Sequence, residues 1–313
     1  MGRSIVFIDL EVSEREQKAV DYGAAKDKSS LLHTRSKADF SAFVSGTDYV
    51  CGHNIINHDL RFCADLIKGR GYLPVDTLYV SPLLFPNRPY HNLVKDDKLQ
   101  SDQLNNPASD AVKAMELFYD EVNAYEQLSS AMKHIFYGLL HKDKYFEGFF
   151  NYVGGRLTLT SVESDIRKTF SEKICKNTNI SALITRHPVE LAYALAIISA
   201  TDKYSITPPW VYKNYPNVEN VLKYLRETPC EQGCEYCKNN LDVQKKLKDF
   251  FGYDSFRTYN GEPLQEMAAK AAVKGKSLLA IFPTGGGKSI TFQLPALMAG
   301  EATRGLTVII SPL

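Results

Sequence analysis

Three groups of residues in this chain carry chemistry by their type and spacing. Asp9 and Glu11 stand one residue apart at the end of an apolar run, so on a strand both side chains share one face. Asp59, a few residues after His53-Asn54, and Asp110 each stand where a helical pattern begins, and they add two more carboxylates. Oxygen donors drawn from a strand and two helix starts suit Mg²⁺ or Mn²⁺, whereas zinc prefers imidazole and thiolate. Asp-x-Glu also arises by chance among 36 acidic residues, and helix starts attract Asp as a cap, so spacing alone does not define the site.

The second group is Pro283-Thr284-Gly285-Gly286-Gly287-Lys288-Ser289. It follows an apolar run predicted as a strand, Leu278–Phe282, and precedes a helical pattern, which is the setting of a phosphate-binding loop. The glycines let backbone N–H groups face phosphate oxygens, Lys288 adds a positive charge, and the Ser289 hydroxyl reaches a magnesium ion. Phe282 stands where the strict form of the motif has a further glycine. The third group is Cys230-x3-Cys234-x2-Cys237, with Gly233 at its turn. Three thiols in one tight loop suit zinc or an iron–sulfur cluster, and either wants a fourth ligand. Cys175, fifty-five residues upstream of Cys230, is the cysteine left to complete the set; three reduced, unligated thiols are the alternative.

The elements that must carry these groups read as three segments. Residues 1–129 alternate strand-like runs (4–8 and 48–52) with helical ones (59–68 and 109–121), which implies an α/β domain with a mixed sheet covered by helices. Residues 130–240 read as a mostly helical connector with the cysteine-rich knuckle at its end. Within it, Tyr204, Trp210, Tyr212, Tyr215 and Tyr224 interleave with Lys213 and Lys223, a mixture that either stacks bases or fills a small helical core. Residues 241–313 hold helical patterns to Phe250 and over 263–273, then the glycine loop, and end in a second apolar run at 306–310. That ending is expected of a domain interrupted partway.

Composition bounds these readings. The chain has 313 residues, 44% hydrophobic and 23% charged, which is ordinary for a globular protein. Its 37 basic and 36 acidic residues leave a formal charge of +1, so any nucleic-acid footprint must be local. No run reaches the roughly 18 apolar residues of a membrane span, and the expected location is cytoplasmic. Six cysteines are too few for a disulfide framework.

Two resemblances sharpen the expectations. Phe7-Ile8-Asp9-Leu10-Glu11, Cys51-Gly52-His53-Asn54 with Asp59, Asp76-Thr77-Leu78 and Asp110-Ala111 resemble, in order and spacing, the DEDD (DnaQ-like) 3′-to-5′ exonucleases over residues 4–121. The resemblance implies an RNase H-like fold and two Mg²⁺ or Mn²⁺ ions held by Asp9, Glu11, Asp59 and Asp110, with Asp9 bridging both. One ion activates water and the other steadies the leaving oxygen. The family's His or Tyr shortly before its last Asp is replaced by Asn105 and Asn106, neither of which acts as a base; His91 is a candidate substitute. Phe251-Gly252-Tyr253, Phe256-Arg257, the glycine loop and Gln293-Leu294-Pro295 resemble the opening of a RecQ-type DNA helicase, a RecA-like motor, over 245–313. This implies ATP held by Thr284 to Ser289. The family's adenine-reading Gln, three residues after the Arg, is Asn260 here, with Gln265 as the available substitute.

Together these imply a 3′–5′ exonuclease acting on DNA, joined to a RecQ-like ATP-dependent helicase serving repair or recombination, with no membrane partner. RNA as the substrate, and a non-catalytic nucleic-acid-binding or docking module, are the alternatives.

Overall fold

The computed structural model describes residues 3–13, 15–69, 71–93, 106–156, 159–200 and 206–310. They fall into two compact units, Met1–Val162 and Glu163–Leu313.

In the first unit the sheet is built around β1 (Ile5–Ser13). Val6, Phe7, Ile8 and Leu10 are all buried, which a strand achieves only with cover on both faces. β2 (Lys18–Ala25) returns antiparallel to it and β3 (Leu31–Thr34) pairs antiparallel with β2. After α1 (Lys37–Val44) the chain crosses to β4 (Tyr49–Gly52), parallel to β1 on its other edge. A short helix α2 (Leu60–Cys63) and a 3₁₀ turn (Ala64–Leu66) lead to β5 (Leu73–Asp76), parallel to β4. The order is β3-β2-β1-β4-β5, a mixed sheet as the sequence pattern predicts.

Helices α3 (Thr77–Leu84) and α4 (Pro107–Gln127) follow. On β1, Val6, Ile8 and Leu10 face a core completed by Phe40 and Val44 of α1, while Phe7, on the opposite face, packs 5.5 Å from Phe118 of α4. Because side chains alternate, Asp9 and Glu11 continue the Phe7 face, beneath α4. Helices α5 (Ser130–Leu140) and α6 (Glu147–Val153) also belong to this unit. Tyr49 of β4 donates its hydroxyl to Asn151 at 2.6 Å, and Tyr145 stacks on Tyr79 of α3 at 4.2 Å. The segment from Ser130 to Val153, grouped with the connector by its helical pattern, thus packs on the sheet.

The second unit is helical: α7 (Val162–Thr169), α8 (Ile180–Arg186), α9 (Pro188–Ser199), α10 (Pro209–Asn214), α11 (Asn217–Arg226), α12 (Glu235–Asn240), α13 (Val243–Phe251), α14 (Leu264–Val273) and α15 (Ile290–Thr303). α9 is apolar nearly all round and buried. α11 turns a stripe of Val218, Val221, Leu222 and Leu225 inward. Trp210 and Tyr215 pack against Tyr193, so these two aromatics fill the helical core; Tyr224 is exposed, and Tyr204 lies outside the described residues. Val243, Leu247, Phe256, Ala269, Leu294 and Met298 form a separate small core for α13 to α15.

Two sequence expectations change here. The apolar runs 278–282 and 306–310 form no strand. Leu279, Ile281, Leu306, Val308 and Ile310 are largely exposed, because a buried parallel strand exists only with paired neighbours and covered faces, and the described residues supply neither. The helix expected over 59–68 shrinks to Leu60–Cys63 and a 3₁₀ turn.

Candidate functional site

The four acids approach one another by three local routes. Asp9 and Glu11 project from β1 where its partner strands diverge. The ladder to β4 ends at Phe7↔Cys51, so the β1 edge beyond it lacks a strand partner. Asp59, at the start of α2 and 2% exposed, fills that place: its Oδ1 accepts the Leu10 N–H at 2.8 Å, between Asp9 and Glu11 in sequence. The third route is through Gly23. It is the register partner of Asp9, and a Cβ on it would lie 2.0 Å from the Pro107 carbonyl carbon. With only hydrogen there, the first turn of α4, which holds buried Asp110, lies directly on β2. Asp110 also meets Lys113 at 3.7 Å. Neither the four acids nor any three of them draw their oxygens within 4.8 Å of one another; among the described residues only a cysteine group does.

The loop that presents Asp59 is held by a fifth acid, Asp76, fully buried at the end of β5. It accepts N–H groups from Asn54, Ile56 and Leu78 at 2.8, 3.1 and 3.1 Å. Burial outweighs these bonds and pushes its pKa up to about 7. His53 Nδ1 lies 2.9 Å from the Thr77 hydroxyl, while its buried Nε2 has no partner, and burial lowers its pKa to about 4.

The nearby imidazole is His58, which pattern reading passed over. Its Nδ1 lies 3.6 Å from Asp59 Oδ2. Its pKa is raised, first by hydrogen bonding to Asp59 and further by the charges of Asp59, Asp9 and Glu11. The signal was adjacency, since His58 directly precedes Asp59. His91 sits elsewhere, buried with Nδ1 2.8 Å from the Ser81 hydroxyl of α3. Asn106 is spent as the cap of α4, accepting from Ala108 N–H at 3.1 Å and Ser109 N–H at 3.4 Å. Asn105 lies outside the described residues.

In the second unit the glycine loop turns through Gly285 and Gly287, both at φ +74°, and Ser289 stands immediately before α15. The Arg257 guanidinium donates to the Gly285 carbonyl at 2.9 Å, and the Tyr259 hydroxyl donates to that of Gly286. Gln265, 4% exposed, joins the two segments: its Oε1 accepts the Arg257 N–H at 2.9 Å and its Nε2 donates to the Gly287 carbonyl at 2.8 Å. Between Arg257 and Gln265 the chain makes a tight hairpin at Tyr259↔Glu262, with Asn260 and Gly261 at φ 51° and 83°. Positive φ at both central positions is the type I′ turn that Asn-Gly favours. The hairpin takes up the residues between, and Gln265 stands against Arg257, eight positions earlier in the sequence.

The four cysteine sulfurs of Cys175, Cys230, Cys234 and Cys237 lie within 4.8 Å of one another. Gly233, at φ 60°, turns the loop so that the Cys234 N–H points at Cys230 Sγ, 3.2 Å away. Asn177 Nδ2 donates to the same sulfur at 3.2 Å. These two donors pull the Cys230 thiol down to about 6. Cys175 is fixed by its own N–H, which donates to the Leu225 carbonyl at 2.7 Å.

The helicase-like end has recognisable kin. Residues 262–313 match the DEAD/DEAH box helicase family. Among curated proteins, the chain is 49% identical over 72 residues to ATP-dependent DNA helicase Q5 of Rattus norvegicus, a match covering 23% of this chain and 7% of that protein. It is 45% identical over 71 residues to ATP-dependent DNA helicase RecQ of Synechocystis, covering 23% and 13%. To ATP-dependent helicase SGS1 of Saccharomyces cerevisiae it is 40% identical over 72 residues, covering 23% and 5%. This end of the chain is thus similar to RecQ-type helicases, and the chain spans only a small part of the relatives it matches. No solved structure matches it. No helix among the described residues is long and apolar enough to cross a membrane.

Proposed function

We propose that the first unit is a metal-dependent 3′–5′ exonuclease acting on DNA, carried on the same chain as a RecQ-like ATP-dependent helicase. The observation that carries this reading is the Asp59 bond to the Leu10 N–H, which sets a buried carboxylate between Asp9 and Glu11, with Asp110 brought in over Gly23. The sheet order, with its central strand antiparallel to one neighbour and parallel to the other, supports an RNase H-like fold. Mg²⁺ or Mn²⁺ held by Asp9, Glu11, Asp59 and Asp110 would lower the pKa of a bound water, and His58, beside Asp59, is the residue we assign to moving its proton.

In the second unit we assign ATP phosphates to Thr284, Gly285, Gly286, Gly287, Lys288 and Ser289, with Mg²⁺ at Ser289. Gln265 is assigned to adenine, because its amide already links the Arg257 segment to the loop. The helicase relatives, whose names state ATP dependence, support this reading.

The test incubates the chain with 3′-recessed DNA, single-stranded DNA and RNA in Mg²⁺ or Mn²⁺, beside Asp9→Ala. A ladder of shortened DNA products that Asp9→Ala abolishes is expected. Equal ladders from both proteins refute the assignment. Intact substrate with retained binding supports the second reading, a non-catalytic docking module, which the use of Asn106 as a cap favours.

A further inference from the structure

Nothing in the nuclease or nucleotide readings uses the cysteine quartet, and the following stands independently of both. Cys175 closes the set that the 230–237 loop leaves open, across fifty-five residues of chain. Four sulfurs gathered this closely need a reason. Disulfides do not supply it: all four cysteines are free, and the 3.8 Å between the sulfurs of Cys175 and Cys234 is far beyond a bond of about 2.05 Å.

The spacing itself identifies the occupant. A tetrahedral ion with metal–sulfur bonds of about 2.3 Å sets its sulfurs about 3.8 Å apart along each edge. The quartet, with one edge at 3.8 Å and all within 4.8 Å, has that size. A four-iron cluster occupies the space between its thiolates with iron and sulfide and holds them farther apart than this. Hard cations are disfavoured by an all-sulfur set. The surroundings also suit thiolate: the Cys234 N–H and the Asn177 amide both donate to Cys230 Sγ, the outer bonds that orient a ligating sulfur. Tyr236 and Leu241 pack on the apolar side of the quartet.

We propose that Cys175, Cys230, Cys234 and Cys237 bind one zinc ion as a closed structural site. Its role is to fasten the turn after α7 to the loop and first turn of α12 that follow α11, where the hydrogen bonds are few: Cys175 N–H to Leu225 O at 2.7 Å and the Thr178 hydroxyl to Tyr224 O at 3.0 Å reach the end of α11, and Asn177 reaches Cys230 in the loop. A closed four-thiolate shell leaves no open position for water, so the site would not be catalytic.

Elemental analysis of the full chain, purified without chelator, is expected to give one zinc per chain and no iron. Cobalt exchanged into the protein is expected to show the intense visible absorption of a tetrahedral thiolate complex, and Cys175→Ser to weaken and shift it. X-ray absorption at the zinc edge of the unmutated protein, which needs no variant to fold, is expected to show four sulfurs at about 2.3 Å. Iron with acid-labile sulfide overturns the proposal, as does metal-free protein with four freely reactive thiols. A Cys175→Ser chain with full zinc content and an unchanged cobalt spectrum overturns the assignment of the fourth ligand.

Discussion

The carboxylates of the first unit and the thiols of the second are both quartets assembled from distant sequence, yet they are arranged differently. The sulfurs lie within 4.8 Å of one another; the oxygens of Asp9, Glu11, Asp59 and Asp110 do not. Tyr236 and Leu241 pack on the cysteines from one side, and the Cys234 N–H and the Asn177 amide hold Cys230 Sγ from the other. Carboxylates repel one another, so backbone contacts have to position each of them separately. Asp59 is pinned by the Leu10 N–H, and the helix that carries Asp110 is seated by the close approach at Gly23.

Four experiments would break or sharpen this contrast. Asp9→Ala is expected to lower exonuclease turnover roughly a thousandfold or more while leaving DNA binding in place, since loss of a bridging ligand removes several kcal/mol of metal stabilisation of the transition state. Single-turnover assays with Mn²⁺ would measure it.

The next effect is on stability. The pKa of His91 is lowered by burial from 6.5 to about 4, so folding favours its neutral form. Its contribution is complete above pH 6.5 and is lost as pH falls toward 4, by about 3 kcal/mol in all. Buried Asp76, raised to about 7, acts in the opposite direction, favouring the fold at low pH and losing that contribution as pH rises through 7. Comparing denaturant unfolding of His91→Gln with the unmutated chain from pH 7 to 4 isolates the histidine, and parallel curves would show that His91 contributes nothing to the slope.

His58→Asn is expected to slow cleavage about a hundredfold at neutral pH, the low end of what a positioned proton carrier contributes. An unchanged rate would leave the metal-bound water as its own source of hydroxide. The smallest effect is Asn106→Ala, which removes the cap of α4 and is expected to cost about 1 kcal/mol in thermal unfolding, with the acids still assembled.

Much of the fold was legible where the local pattern was strong. The buried runs of β1 and β4 and the helical periods of α4, α9, α11, α13 and α14 follow from apolar spacing alone. The runs 278–282 and 306–310 have equally strong strand composition and form no strand, because pairing is a property of neighbours rather than of residues. Helices α5 and α6 were hidden for a related reason. The placement of α6 and of the turn before it depends on Tyr49 with Asn151 and Tyr79 with Tyr145, contacts between residues 66 or more apart in sequence.

By itself the amino-acid sequence determined the donor types: oxygen at positions 9, 11, 59 and 110, sulfur at 175, 230, 234 and 237, and a glycine-lysine-serine loop for phosphate at 285–289. Only the tertiary structure decided which of them meet. Cys175 joins a loop fifty-five residues away, Gln265 stands against Arg257 because an Asn-Gly hairpin takes up the residues between, and His58 rather than His91 lies beside the acids. Residue type and local spacing act over a few bonds, whereas residues far apart in sequence meet only through space, and those distances are fixed by strand register, helix packing and glycines such as Gly23 and Gly148 that let a helix lie directly on the sheet.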